Sequence, residues 1–275
     1  MNQLSSGSRG GNVLRHTILI VLSFIAVFPM YWMFATSFKA PNAMYELSLF
    51  PANPTLENYR FVLDVLPFNR MLFNTFVMAG AQMVLQLITG LLSAYAFTRW
   101  QFFGKQIIFL LFALTWLVPF QVTMIPNYVL LSQLQWLNTL QALVIPHAAS
   151  AFAILLLYQN IKAFPTDLID SAKIDGASSW GILWRVIAPN LRAALAALGI
   201  LLFISSWNEY FWPLLVTNKM ERSVVQIGLQ MFLTQEGDLW GPLMAGASLA
   251  SLPIFVLYVA LQRQVIDSFV KSGLR

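Results

Sequence analysis

The interval Phe164–Pro189 reads FPTDLIDSAKIDGASSWGILWRVIAP, a long polar interval between two strongly apolar blocks. Its residues are nevertheless placed as in ordered structure. Pro165-Thr166-Asp167 opens a helix: Thr166 can cap free amides, and Asp167 and Asp170 put negative charge in the first turn. Lys173 falls near the other end, where a cation is favoured. Gly176 permits a sharp reversal, and Ser178 or Ser179 can cap a second short helix running through Trp184 to Ala188, with Pro189 as the next boundary. A helix, a glycine turn and a second helix between apolar blocks form a docking surface, not a slack loop.

The blocks on either side are membrane spans. The chain is 58% hydrophobic and 10% charged, which excludes an ordinary soluble globule. No Asp, Glu, Lys or Arg occurs over 16–38, 71–98 or 106–161. A bilayer needs about 20 apolar residues, so each of these runs can cross one. The net charge of +5 does not point to nucleic acid, because the basic residues are dispersed among short loops. With no cysteine, the chain has no disulfide, thiol nucleophile or thiolate metal site.

The expected architecture is all-α, with six transmembrane helices at about 14–37, 70–97, 106–126, 140–162, 192–216 and 239–262. Residues 1–13 and 263–275 are tails, and 163–191 is the docking loop. Arg9 and Arg15 before an apolar run resemble a signal peptide, but that run is too long for a signal core and is read as a retained span. The uncharged connector 127–139 lies in the interface or packs inside an assembly. In the aqueous segment 38–69, Leu56–Phe61 forms a short amphipathic helix with Thr55 as cap. Small residues at the start of the fifth span, from Arg192 to Gly199, allow close helix approach. On this map eleven Lys and Arg fall on one side and five on the other, which places both termini and the docking loop in the cytoplasm.

The docking loop resembles the signature of the membrane-spanning permease subunits of bacterial ABC importers. That signature is Glu-Ala-Ala, three residues, Gly, nine residues, then Ile-x-Leu-Pro, before the penultimate span. Here it stands as Asp170-Ser171-Ala172, Gly176 and Val186-Ile187-Ala188-Pro189, with Asp175-Gly176-Ala177 matching the usual Asp-Gly-Ala core. The spacing is kept; the departures are Asp for Glu, Ser for the first Ala, and Val and Ala for Ile and Leu. Ser205-Ser206-Trp207-Asn208-Glu209-Tyr210-Phe211-Trp212-Pro213 resembles a stretch common in the carbohydrate-importer branch, as do Glu57-Asn58-Tyr59 and the tail from Gln262 to Gly273.

The resemblance implies the second permease of a heteromeric pair in the bacterial inner membrane. Its implied partners are a homologous permease, a dimer of ATPase subunits that binds ATP and magnesium, an extracytoplasmic solute-binding protein and the bilayer. It implies coupling to the ATPases through Asp170, Ala172, Asp175, Gly176, Ala177 and Pro189. Sugar, oligosaccharide, polyol and glycerol phosphate all fit as solutes.

Direct reading of the residues agrees on what is missing. There is no P-loop, since Gly104-Lys105 lacks the upstream glycine, and no nucleophile–base set or metal-ligand spacing. His147 is a packed or pore-facing polar group. Asn208, Glu209 and Tyr210 are candidates for the substrate pathway, because an acidic group inside a span is expensive and functional by default. For Glu209 a structural or gating role stands beside direct solute contact. The alternative class, a self-sufficient secondary transporter, calls for more buried charges and clear internal repeats than are visible.

Overall fold

The structure, a computed structural model, describes residues 9–46, 48–233 and 239–273. Helices and turns make up these residues, and no strand occurs among them. In chain order the helices are α1 (Arg9–Ser37), α2 (Glu57–Val65), α3 (Phe68–Arg99), α4 (Lys105–Thr115), α5 (Phe120–Gln133), α6 (Leu140–Val144) and α7 (Ala151–Lys162). They continue with α8 (Thr166–Ile174), α9 (Ser179–Gly181), α10 (Ala188–Asn190), α11 (Arg192–Trp207), α12 (Phe211–Val216), α13 (Val225–Gln230) and α14 (Trp240–Gly273). A wide π-helical segment, Ile182–Ile187, joins α9 to α10.

Three helical stretches are long and apolar enough to cross a membrane unaided: Gly11–Ser37, Phe68–Arg99 and Trp240–Gln262. Three bent pairs pass the same test together, giving up to six spans: Lys105–Thr115 with Phe120–Gln133 at 97°, Leu140–His147 with Ala151–Lys162 at 45°, and Ser179–Asn190 with Arg192–Trp207 at 79°. The chemistry of the breaks is local. Pro119 precedes α5 and Pro146 sits in the turn after α6, and neither has an amide hydrogen to give the preceding turn.

The helices depart from the expected bounds in several places. α1 begins at Arg9, inside the stretch assigned to a tail, of which residues 1–8 lie outside the described residues. α5 extends to Gln133, past the boundary expected at 126, because Pro126 lies within the helix without ending it. α14 continues to Gly273 through most of the stretch assigned to the second tail, whose residues 274–275 are outside the described set.

The chain divides into two compact units. One takes its described residues from Met1–Leu66 and Met231–Ser251. There α1 leaves most of its apolar side chains exposed, as a helix facing lipid or another protein does. The expected α2 is present. Thr55 Oγ1 accepts the Glu57 amide at 3.2 Å, although Leu56 occupies the cap position. Buried Asn58 donates its amide group to the carbonyls of Ser37 at 3.0 Å and Lys39 at 2.8 Å, closing the loop after α1. Lys39 is itself 1% exposed; its ammonium donates to the Glu46 carbonyl at 2.7 Å and stands 4.8 Å from the Trp32 ring centroid. Gly241, at the start of α14, must be glycine, because a β-carbon there would collide with the Asn58 amide and the Met44 methyl.

The other unit comprises Pro67–Gln230 and Leu252–Arg275 as far as they are described. Its axis is α3, packed by α7 on one side and α11 on another. Glycines set both approaches. A β-carbon on Gly90 would stand 3.2 Å from Leu157 and 3.3 Å from Ala153, both on α7. One on Gly199 of α11 would meet Leu87 of α3 at 3.3 Å, in line with the small residues expected there. Gly80 of α3 faces nothing within 4 Å. Gly90→Leu should therefore lower stability by about 1–3 kcal/mol through overpacking. Gly80→Ala should raise it by roughly 0.5–1 kcal/mol by restricting the unfolded chain. Thermal midpoints of the detergent-solubilised protein check both.

Candidate functional sites: the docking loop and a cavity beside the third helix

Gly176 has φ +78°, the left-handed conformation that glycine adopts without strain. Around it the end of α8 follows a Schellman pattern. The Ala177 amide donates to the Ala172 carbonyl at 2.9 Å, and the Gly176 amide donates to the Lys173 carbonyl at 3.0 Å. Ala172 and Ala177, which bracket this closure, both pack on the same apolar core. The spacing of Ala172, Gly176 and Ala177 is thus the spacing of one helix-ending device. Asp170 pairs with Lys173 at 2.9 Å on an exposed face, and Asp175 caps α8 with its own side chain in solvent.

The start of α8 differs from expectation. Thr166 is the first helical residue and makes no capping hydrogen bond; Pro165 holds the cap position with φ −56° and ψ 125°. A proline at that place already has the extended backbone that leads into a helix, so the hydroxyl is not needed. Ser178 is the second cap, its Oγ accepting the Gly181 amide at 3.2 Å. Pro189 lies inside the helical run, not at its edge. Lacking an amide hydrogen, it cannot bond to the Arg185 carbonyl, and the π-helical segment ends at Ile187, two residues before it.

The loop is built into the bundle. Phe164, Ile169, Ile182, Leu183 and Ile187 are buried in one cluster with Leu91 of α3, Leu157 of α7 and Leu198 of α11. Its outer face carries large apolar side chains among the charged ones: Ile174 is 87% exposed and Trp180 63% exposed, with Leu168 and Trp184 also uncovered. Large apolar side chains on a rigid polar loop mark a protein interaction surface.

A second site lies beside α3. A cavity of about 450 Å³ is lined by residues including Gln82 and Gln86 of α3, Trp116, Phe120, His147 and Glu209. The break between α6 and α7 leaves carbonyls without helical partners, and α3 supplies donors. The Gln82 amide donates to the Leu143 carbonyl at 2.8 Å and the Gln86 amide to the His147 carbonyl at 2.8 Å, while the single Thr89 hydroxyl hydrogen is shared between the Leu85 carbonyl of its own helix at 2.8 Å and the Ala148 carbonyl at 3.0 Å. In a membrane such carbonyls must be satisfied within the protein.

Of the three pathway residues read from sequence, Glu209 lines this cavity and Asn208 and Tyr210 do not. Glu209 sits in the gap between α11 and α12, half-buried, with Oε1 accepting the Trp212 amide at 3.3 Å. Asn208 is exposed and donates to the Ile204 carbonyl at 3.0 Å, ending α11. Tyr210 packs edge-on to Phe211, 5.4 Å between centroids, and against the cluster around Trp212. The Trp212 indole in turn donates to the Ala142 carbonyl at 2.8 Å. His147 is packed, as expected, with its ring 4.7 Å from Phe120 and 6.0 Å from Trp212, and it also lines the cavity. Gln82 and Gln86 were not singled out from sequence. Their signal is two amides at i and i+4 in the otherwise uncharged run 71–98, which puts them on one face. No cluster of metal-ligating side chains occurs among the described residues.

Residues 86–270 match the family described as binding-protein-dependent transport system inner membrane component. The chain belongs to that family. It is 28% identical to the lactose transport system permease protein LacG of Rhizobium radiobacter over 95% of this chain and 96% of that one. It is 31% identical to the sn-glycerol-3-phosphate transport system permease protein UgpE of Salmonella typhi, over 96% and 98%. It is 29% identical to the arabinooligosaccharides transport system permease protein AraQ of Halalkalibacterium halodurans, over 92% and 93%. Its fold is similar to a chain in the crystal structure of a bacterial ABC transporter involved in the import of the acidic polysaccharide alginate, with TM-score 0.81 and 23% identity over 96% and 99% of the two chains.

The expectation of an ABC importer permease therefore holds over that of a self-sufficient secondary transporter. The chain is a multi-pass membrane transport component, and its family is one without its own ATPase. For the cavity wall, Gln86→Leu should strand the His147 carbonyl and lower stability by about 1–2 kcal/mol, a buried acceptor losing its donor. Gln86→Asn, too short to keep that bond, should fall between wild type and Leu if water replaces it, as thermal midpoints would show.

Proposed function

We propose that this permease forms half of the translocation pathway for a carbohydrate or a closely related small polar solute. The proposal adopts six spans within 14–262, with tails 1–13 and 263–275 and the docking loop 163–191 in the cytoplasm. A homologous permease completes the pathway, a solute-binding protein delivers the solute from outside, and a dimer of ATPase subunits binds ATP and magnesium inside. The names of its relatives support the solute class: lactose, arabino-oligosaccharides and glycerol 3-phosphate are all small polyhydroxylated compounds.

One observation carries the coupling role: the loop ends in a glycine-capped turn that holds exposed apolar side chains on a surface fused to the bundle core. Asp170, Ala172, Asp175, Gly176, Ala177 and Pro189 are the coupling residues in this reading. Ala172, Gly176 and Ala177 shape the turn, Asp170 and Asp175 orient the partner by charge, and Pro189 sets the bend toward α11. Closure of the ATPase dimer draws two such loops together. Because Ile169, Ile182 and Leu183 share a core with α3, α7 and α11, the movement passes directly to the helices around the cavity.

Gly176→Arg should leave the protein inserted but abolish binding-protein-stimulated ATP hydrolysis of the purified complex. A β-carbon at Gly176 meets nothing within 4 Å, so Gly176→Ala carries only the backbone cost of a positive φ, about 1 kcal/mol, and should keep partial stimulation. Asp175→Ala should be mild. Full stimulation in Gly176→Arg, with ATPase subunits retained in a pull-down, would remove the loop from the coupling path. The orientation has its own check. A fluorescent reporter fused after Arg275 should fold and glow, and an alkaline phosphatase fused there should be inactive.

A further inference from the structure

The importer reading leaves the charge of the solute open, and the wall of the cavity beside α3 bears on it. Among its lining residues none is Lys or Arg, and the one carboxylate is Glu209. Gln82 and Gln86 each commit an amide hydrogen to a backbone carbonyl exposed by the α6–α7 break. Those carbonyls cannot donate, so the side-chain NH₂ groups must face them, which leaves each glutamine one further N–H and its oxygen. Glu209 spends Oε1 on the Trp212 amide and keeps Oε2. Ser150, on the same wall, accepts the Ala153 amide at 3.3 Å as the cap of α7. Trp116, Phe120 and Phe152 supply apolar faces.

Such a wall suits a ligand that brings its own donors and apolar C–H faces, as an uncharged sugar does. A phosphate or carboxylate brings negative charge to a wall that holds a carboxylate and no Lys or Arg. We propose that Glu209 makes this cavity a charge filter that admits neutral polyhydroxylated solutes and disfavours phosphorylated or uronic ones. The inference rests on the importer reading, which makes the cavity part of the pathway. Glu209 is then a specificity residue whose charge, not its size, is what matters. His147 is the other ionisable group on this wall, so the test is run at pH 8, where an ordinary imidazole is neutral.

The absence of cysteine from the chain makes the filter directly measurable. Ser205 lines the cavity one helical turn before Glu209, and Ala149 lines it from the α6–α7 break. Ser205→Cys and Ala149→Cys are each made with Glu209 intact and with Glu209→Gln, a substitution that keeps an oxygen for the Trp212 amide. The complete importer in lipid nanodiscs is treated with a trimethylammonium or a sulfonate methanethiosulfonate. Adducts are read on this chain by mass spectrometry, so thiols on other subunits do not count. The ratio of the two rates cancels the thiolate fraction and reports local potential.

With Glu209 present, the cationic reagent should be favoured by roughly tenfold relative to a free thiol in solution, from one nearby charge in a poorly screened site. In the Glu209→Gln variants the ratio should return to within about twofold of the free thiol. Equal ratios with and without the carboxylate, or preference for the sulfonate, would overturn the proposal. So would failure of both thiols to react with either reagent, because the wall would then not face water. Binding-protein-stimulated ATPase activity of the same preparations separates the two readings. Charge blindness with stimulation intact sinks the filter alone; a charge ratio without stimulation in the parent complex sinks the importer reading, and with it the cavity's role in uptake.

Discussion

Backbone carbonyls in a membrane protein need donors, and this bundle satisfies a broken span with side chains from one neighbouring helix. Gln82, Gln86 and Thr89 project from α3 at successive turns and meet the carbonyls of Leu143, His147 and Ala148. An unsatisfied carbonyl in hydrocarbon costs several kcal/mol, so α6 and α7 can part at Pro146 only where those donors stand. The cavity opens at that parting, and two of the side chains that stabilise the break also line it.

The same helix carries the mechanical connection. α3 receives α7 through Gly90 and α11 close to Gly199, and its C-terminal half joins the cluster that includes the docking loop. Its N-terminal half joins a different cluster through Met78, with Leu143 and Trp212. A displacement of the loop therefore reaches the cavity along one continuous helix. Between Phe164 and Leu202 no more than four consecutive residues lack a buried or half-buried side chain, so the stretch is anchored along its length.

Much of this was legible in the chain. Uncharged runs located the apolar blocks, and Asp175-Gly176-Ala177 located the reversal, because a glycine after a cation-ended helix has few other uses. The cap of α8 was misplaced by one residue for a physical reason: Thr166 has the right chemistry, but Pro165 has the right backbone, and backbone preference prevailed. The cavity wall was half visible. Glu209 stands out because a carboxylate in a span is costly, whereas Gln82 and Gln86 are neutral and pass as ordinary polar residues until their partners are known. Asn208 and Tyr210 were grouped with Glu209 by adjacency, but a chain leaving a helix points consecutive side chains in different directions.

The π-helical segment Ile182–Ile187 gives the distance from Gly176 to Pro189 a meaning in rotation. Each residue of an α-helix turns the chain by about 100°, and a π-turn absorbs one residue more than an α-turn does. Adding or deleting a single residue there would barely change how far the loop reaches. It would instead swing Ile174 and Trp180 about the axis of the following helix, aiming them at lipid or at the bundle itself. The nine residues between Gly176 and Val186 are in this sense a setting of phase, and their count fixes the direction in which Ile174 and Trp180 face.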